Sequence, residues 1–233
     1  MKDIVFYSIL FLVAVIPIII LGYYVNKHDQ NKEPIKILIK LFIYGSIIVV
    51  PCFFLEVNLV TLLDLARLNP NITFFLSNFV VIAFSEELWK WFAFTLGGYN
   101  IADFDEVYDG LLYGAFVALG FACVENIAYV FNYGIETGLA RAFLAVPSHV
   151  CNGIIMGYFL AKAKKMQKKG EKLKEIMYFL ISLIVPTVMH GLYDLLASVE
   201  TNLAYMFLAV MVVVIAIITR NIINNISKKK EAI

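Results

Sequence analysis

Seven long apolar runs, separated by short polar gaps, constrain this chain more than any other feature. They fall at 4–25, 37–63, 72–97, 109–133, 141–162, 176–198 and 202–220. A helix needs about 20 apolar residues to cross the hydrocarbon core of a bilayer, and each run is about that long or longer. The apolar residues come in blocks rather than in amphipathic stripes. Only 16% of the 233 residues are charged, against roughly 25% for a soluble domain. The sequence therefore predicts an all-α polytopic membrane protein of about seven transmembrane helices. The first run is too long for a signal peptide and lacks a small-residue cleavage site, so it reads as a retained helix. No segment large enough for a soluble domain is left over, and 1–233 reads as one domain.

Lysines set the expected orientation. Lys27, Lys32 and Lys36 follow the first run, six lysines lie between Lys164 and Lys174, and Lys228-Lys229-Lys230 lies near the end. The alternate gaps, near 64–71, 134–140 and 199–201, are nearly free of lysine. The positive-inside rule then predicts the N-terminus outside and the C-terminus inside. The acidic gap 98–108 carries no weight in that rule. Cys52, Cys123 and Cys151 are odd in number and lie within runs, which excludes a disulfide framework.

Against this apolar background the buried charges stand out. A charge at the bilayer centre costs at least about 2.5–3.5 kcal/mol on insertion scales, so it persists where something holds or uses it. Glu86-Glu87 and Lys90 interrupt the third run. On a helix Glu86 and Lys90 share a face, while Glu87 lies about 100° round. One acid can be held by the lysine and the other can point elsewhere in the bundle.

The fourth run carries Glu125-Asn126, and the fifth carries His149 with Asn152 and Gly153 on one face. The sixth carries His190 and Asp194 four residues apart, a spacing that lets the carboxylate orient the imidazole. Gly110 and Gly114, like Gly153 and Gly157, are spaced for close helix approach. Cys151 lies about 200° from His149 around its helix, so a Cys–His nucleophile pair within that helix is geometrically poor.

These groups predict a hydrolytic site between helices 3–6, near mid-membrane. Two histidines and an acid make a first shell for Zn²⁺ with one position open to water. His149, His190 and Glu125 are the candidate ligands, with Glu86 or Glu87 as the base. The same residues also serve a metal-free route, in which a glutamate activates water and His or Asn donors stabilise the oxyanion. A non-catalytic seven-helix scaffold that grips a partner transmembrane helix is the alternative, with the polar cluster as glue. An ion-coupled carrier would be expected to show inverted repeats, and none is visible. The acid pair argues for catalysis, since a scaffold has little use for Glu86-Glu87 plus Glu125.

The ordered motifs resemble those of the PrsW-type intramembrane proteases, relatives of the type II CAAX prenyl endopeptidases and Abi proteins. The resemblance runs through Asp29, Glu33-Pro34, Gly45, Pro51 and Glu56 to Glu86-Glu87-Leu-Trp-Lys90. It continues through Asp109-Gly110, Tyr113-Gly114, Gly120-Phe121, Glu125-Asn126, Pro147-Ser-His149 and His190-Gly-Leu-Tyr-Asp194. It implies a multi-pass protease of the bacterial cell membrane, usually a metallopeptidase. It also implies the first cut in a membrane-anchored anti-sigma factor during stress. Glu125 stands where the prenyl endopeptidases carry a histidine, which argues against a prenyl-protein substrate and removes one imidazole from any metal shell. In the relatives the first Glu of the pair is the usual base, which favours Glu86; the spacing to Lys90 favours Glu87.

Overall fold

The computed structural model describes residues 2–229 and 231–233; Lys230, one of the lysines used for orientation, lies outside them. Its elements in order are α1 (Lys2–His28), α2 (Ile35–Ile47), α3 (Val49–Ala66), α4 (Pro70–Leu76) and α5 (Ser85–Phe94). They continue with α6 (Val107–Tyr133), α7 (Ile135–Phe143), α8 (Ala145–Lys168), α9 (Lys172–Ser198) and α10 (Asn202–Lys229). Stretches of π-helix, Ser77–Phe84 and Thr95–Tyr99, flank α5. Among the described residues seven helical segments are long and apolar enough to cross a membrane, as the seven runs require.

Two of those segments break, each for the same reason. Proline has no N–H to offer the carbonyl four residues earlier. Pro51 therefore leaves the carbonyl of Ile47 without its helical partner, and the second span divides at Ile48 into α2 and α3. Pro147 does the same to Phe143, and the fifth span divides at Leu144 into α7 and α8. Backbone bonds on either side continue, with Cys52 N–H reaching Ile48 at 3.0 Å and Ser148 N–H reaching Leu144 at 3.1 Å. Both divisions lie beside the polar cluster, next to Val49 and Ala145 of the cavity wall.

The long helix α6 is the central post, packed against α1, α2 and α8. In the most apolar stretches of the fourth and fifth spans 67% and 72% of residues are buried, against 17–33% in the others. Glycines make this contact possible. A Cβ on Gly114 would stand 2.0 Å from the carbonyl oxygen of Gly153, and one on Gly157 only 1.8 Å from that of Gly110. The two glycine pairs expected from spacing thus mate with each other, backbone against backbone. The outer faces of α1, α3 and α10 expose Ile4, Ile19, Phe53, Phe54, Val213 and Ile217, the apolar surface expected of helices that face lipid.

The lysine-bearing end is organised by the motif acids Asp29, Glu33 and Asp109. Asp29 accepts the N–H groups of Asn31 and Glu33 at 3.0 and 3.2 Å. Asp109 accepts those of Asp105 and Glu106 at 3.0 and 2.7 Å, capping α6. Tyr113 donates its hydroxyl to Glu33. Residues 231–233 lie along this loop, with Val107 N–H donating to Glu231 at 2.8 Å and Lys162 and Lys165 holding the Glu231 carboxylate.

Candidate active site

The acid pair sits on regular α-helix, because α5 begins at Ser85 between the two wider π-helical stretches. At three and four residues' spacing both acids reach the same lysine. Lys90 Nζ lies 3.0 Å from Glu86 Oε2 and 2.9 Å from Glu87 Oε1, and 4.3 Å above the ring of Phe121. Lys90 is 1% exposed and Glu87 0%. An ion pair this deep is costly to break from either side, since the remaining charge would be left without compensation. One acid was expected on Lys90; the helix gives it both.

The histidines come from the neighbouring spans, His149 from α8 and His190 from α9, with ring centroids 5.1 Å apart. Their partners assign the tautomers. Lys90 Nζ lies 3.0 Å from His149 Nδ1. An ammonium can only donate, so Nδ1 accepts and the ring proton sits on Nε2, 2.8 Å from Glu125 Oε2. On His190, Nδ1 donates to Glu87 Oε1 at 2.8 Å, so in the neutral ring the lone pair is on Nε2. The two lone-pair nitrogens turn toward Glu86, whose Oε2 is 3.9 Å from His149 Nδ1 and 3.9 Å from His190 Nε2.

Behind this triangle, Glu125 is clamped by a residue that sequence reasoning missed. Arg141, on the short helix α7, contacts Glu125 Oε2 through Nη2 at 2.9 Å. Its Nε donates to Asn126 Oδ1 at 3.0 Å, and its guanidinium lies 4.0 Å over the ring of Tyr129. Arg141 stands at the edge of an apolar run, where an arginine reads as an interfacial residue. In the fold its partners are Glu125 and Asn126 of α6. Asn126 is fully buried and donates to the carbonyl of Ala14 at 2.8 Å, so it ties α1, α6 and α7 together.

The structure thus gathers the expected residues but distributes them differently. Glu125 was the expected third ligand beside the histidines. It stands on the far side of His149, and Glu86 occupies the near side. Asp194 was the expected orienting partner of His190. Glu87 has that place, while Asp194 Oδ2 approaches the opposite nitrogen, Nε2, at 3.4 Å. A cavity of about 650 Å³ opens beside the triangle. Glu86, Glu125, His149, His190 and Asp194 line it, together with Glu56 of α3, which accepts the Cys52 thiol at 3.2 Å. Glu87, Lys90 and Asn126 do not reach its wall.

The donor set suits a metal ion. Among the described residues Glu86, His149 and His190 form the group whose ligand atoms all lie within 4.8 Å of one another. Two imidazole nitrogens and a carboxylate oxygen are a recurrent catalytic zinc set. Each imidazole also has a carboxylate on its other nitrogen, the arrangement that fixes ligand histidines. Lys90 shares two of the three donor atoms, so a cation there requires the ammonium to withdraw toward Glu87.

Comparison with known proteins points the same way. Residues 33–219 match the family described as PrsW family intramembrane metalloprotease. Protease PrsW of Bacillus subtilis (strain 168) is 35% identical over 195 residues, covering 84% of this chain and 85% of that protein. Protease PrsW of Geobacillus kaustophilus (strain HTA426) is 36% identical over 186 residues, 80% of this chain and 78% of that protein. Protease PrsW of Clostridioides difficile (strain 630) is 32% identical over 211 residues, 88% and 86% respectively. No solved structure matches.

Proposed function

The chain belongs to the PrsW family of intramembrane metalloproteases, and on that premise we propose that it hydrolyses a peptide bond of a membrane-anchored protein in the cavity beside Glu86. The observation that carries this reading is that Glu86, His149 and His190, with ligand atoms within 4.8 Å of one another, all line that cavity within an apolar bundle. Motif resemblance supports a membrane-anchored anti-sigma factor as the substrate, with the first cut made at this site. The lysine distribution supports an orientation with the N-terminus and the cavity-bearing half of His149's span outside. Labelling of cysteines placed at Glu136 and Lys172 checks this, since only the first should react from the outer face.

Glu86, His149 and His190 would hold the metal. A zinc ion there supplies a water acidified to a pKa of about 7 and polarisation of the scissile carbonyl. The protein's own groups do the rest. Glu87 and Glu125 keep each imidazole turned with its lone pair to the cavity. Lys90 balances the paired carboxylates, and Asp194, on the wall beside His190, takes the proton released by the attacking water and returns it to the departing amine. Without a metal, Glu86 takes the proton of the attacking water itself, because it is the acid of the pair that reaches the cavity.

Co-expression with a membrane-anchored anti-sigma factor tests the substrate. Cleavage by wild type and its absence with Glu86→Gln support the reading; intact substrate with both contradicts it. Purified protein that still cuts in an excess of chelator would move the chemistry to glutamate-activated water.

A further inference from the structure

The helix that brings His149 to the cavity has a second hollow at its back. Pro147, Val150, Cys151 and Ile154 of α8 form one wall of a cleft of about 420 Å³, closed by the lower parts of α1 and α10. Leu21, Val25 and Ile223 keep most of it apolar. Its polar lining is Tyr24, His28, Cys151, Thr219, Arg220 and Asn224. Arg220 and Asn224, four residues apart on α10, share a helix face there. Arg220 is exposed and Asn224 half-buried, and among the described residues Arg220 has no acidic partner and neither side chain has a hydrogen-bond partner. Arg220 also interrupts a helix whose residues 203–219 carry no charge. It lies about 12 Å along the axis from Lys228, by helical rise, so it reaches the headgroup level from within the apolar zone. The Ser227 hydroxyl donates to the carbonyl of His28, fixing α1 against α10 on this side of the cleft.

We propose that this cleft binds an anionic phospholipid, with its phosphate on Arg220 and Asn224 and an acyl chain against the apolar wall of α8. The charge argues for the class of lipid: an unpaired guanidinium with an amide beside it offers several donors in a planar fork suited to phosphate oxygens. The apolar wall above it offers nothing to a soluble anion but matches a hydrocarbon chain. Such a lipid buttresses α8 over Pro147–Ile154, the stretch whose opposite face presents Ser148 and His149 to the catalytic cavity.

The test uses the purified full chain in detergent, offered equal amounts of phosphatidylglycerol and phosphatidylcholine with matched acyl chains, with retained lipid read by native mass spectrometry. Preferential retention of phosphatidylglycerol by several-fold is expected. Arg220→Gln should abolish the preference, and Ala216→Phe, which fills the cleft, should reduce retention of the lipid. Lys172→Gln, on the same lysine-rich side but away from the cleft, should leave both unchanged. Equal retention of the two lipids by wild type, or an undiminished preference in Arg220→Gln, overturns the proposal. Displacement of the lipid by millimolar glycerol phosphate would overturn the acyl-chain contact.

Discussion

Glu86 and Glu87 are adjacent in sequence and chemically identical, yet one residue of helix rotation gives them different surroundings. Glu87 is fully buried between Lys90 and His190 and has no access to the cavity; Glu86 shares Lys90 but faces the histidine lone pairs. Glu87→Gln should therefore lower activity by about 10–100-fold, the usual cost of losing a group that orients a ligand histidine. Glu86→Gln should cost more, about 10²–10⁴-fold, because it removes a metal-holding oxygen or, without a metal, the group that takes the proton. Cleavage rates of both variants at saturating substrate check the ordering. Arg141→Ala should also lose about 10–100-fold by freeing Glu125 from His149, and added guanidinium should restore part of it, which a merely misfolded variant would not show. Much at this scale was legible within a helix and little across helices. The spacing from Glu86 to Lys90 predicts their contact. Whether Glu125 stands before or behind His149 depends on helix rotation and separation, which no single-helix pattern records.

At the scale of elements, glycine and proline explain most of the architecture. The four glycines at 110, 114, 153 and 157 were legible as close-approach pairs, and they bring α6 and α8 together with backbones touching. Gly114→Ala puts a methyl group 2.0 Å from the Gly153 carbonyl oxygen, so the helices must part. A loss of about 1–3 kcal/mol, typical of overpacking, should appear as a lower thermal unfolding temperature in detergent. Because His149 rides on α8, activity should fall with it. The breaks at Ile48 and Leu144 have their cause in Pro51 and Pro147, yet proline alone does not announce a break. Pro17 and Pro186 lie inside continuous helices, since neighbouring helices can satisfy the freed backbone. The π-helical widening before α5 has no sequence signal that we can name.

Across the whole molecule, one end of the bundle carries the Glu86–His149–His190 cluster and the other carries the lysines. At the lysine-bearing end Glu33 sits outside the spans. Burial pushes its carboxyl up from 4.5 to about 7, with the Tyr113 hydrogen bond acting against the rise. The folded protein then holds a proton that an unfolded chain has released. This contribution is present below about pH 4.5 and is lost as pH rises toward 7. Glu33→Gln should remove that slope, so the variant should melt above wild type at pH 8 and close to it at pH 4.5. The seven spans and their order were legible from apolar length alone, because the bilayer imposes one ruler on every helix. The central claim concerns the other end, where Glu86, His149 and His190 meet a cavity. It is tested most directly by single-turnover cleavage of a bilayer-embedded, single-span substrate by purified protein reconstituted with zinc. Wild type should cut, Glu86→Gln and His149→Ala should not although they bind and fold, and cleavage at the wild-type rate by either variant would contradict the account.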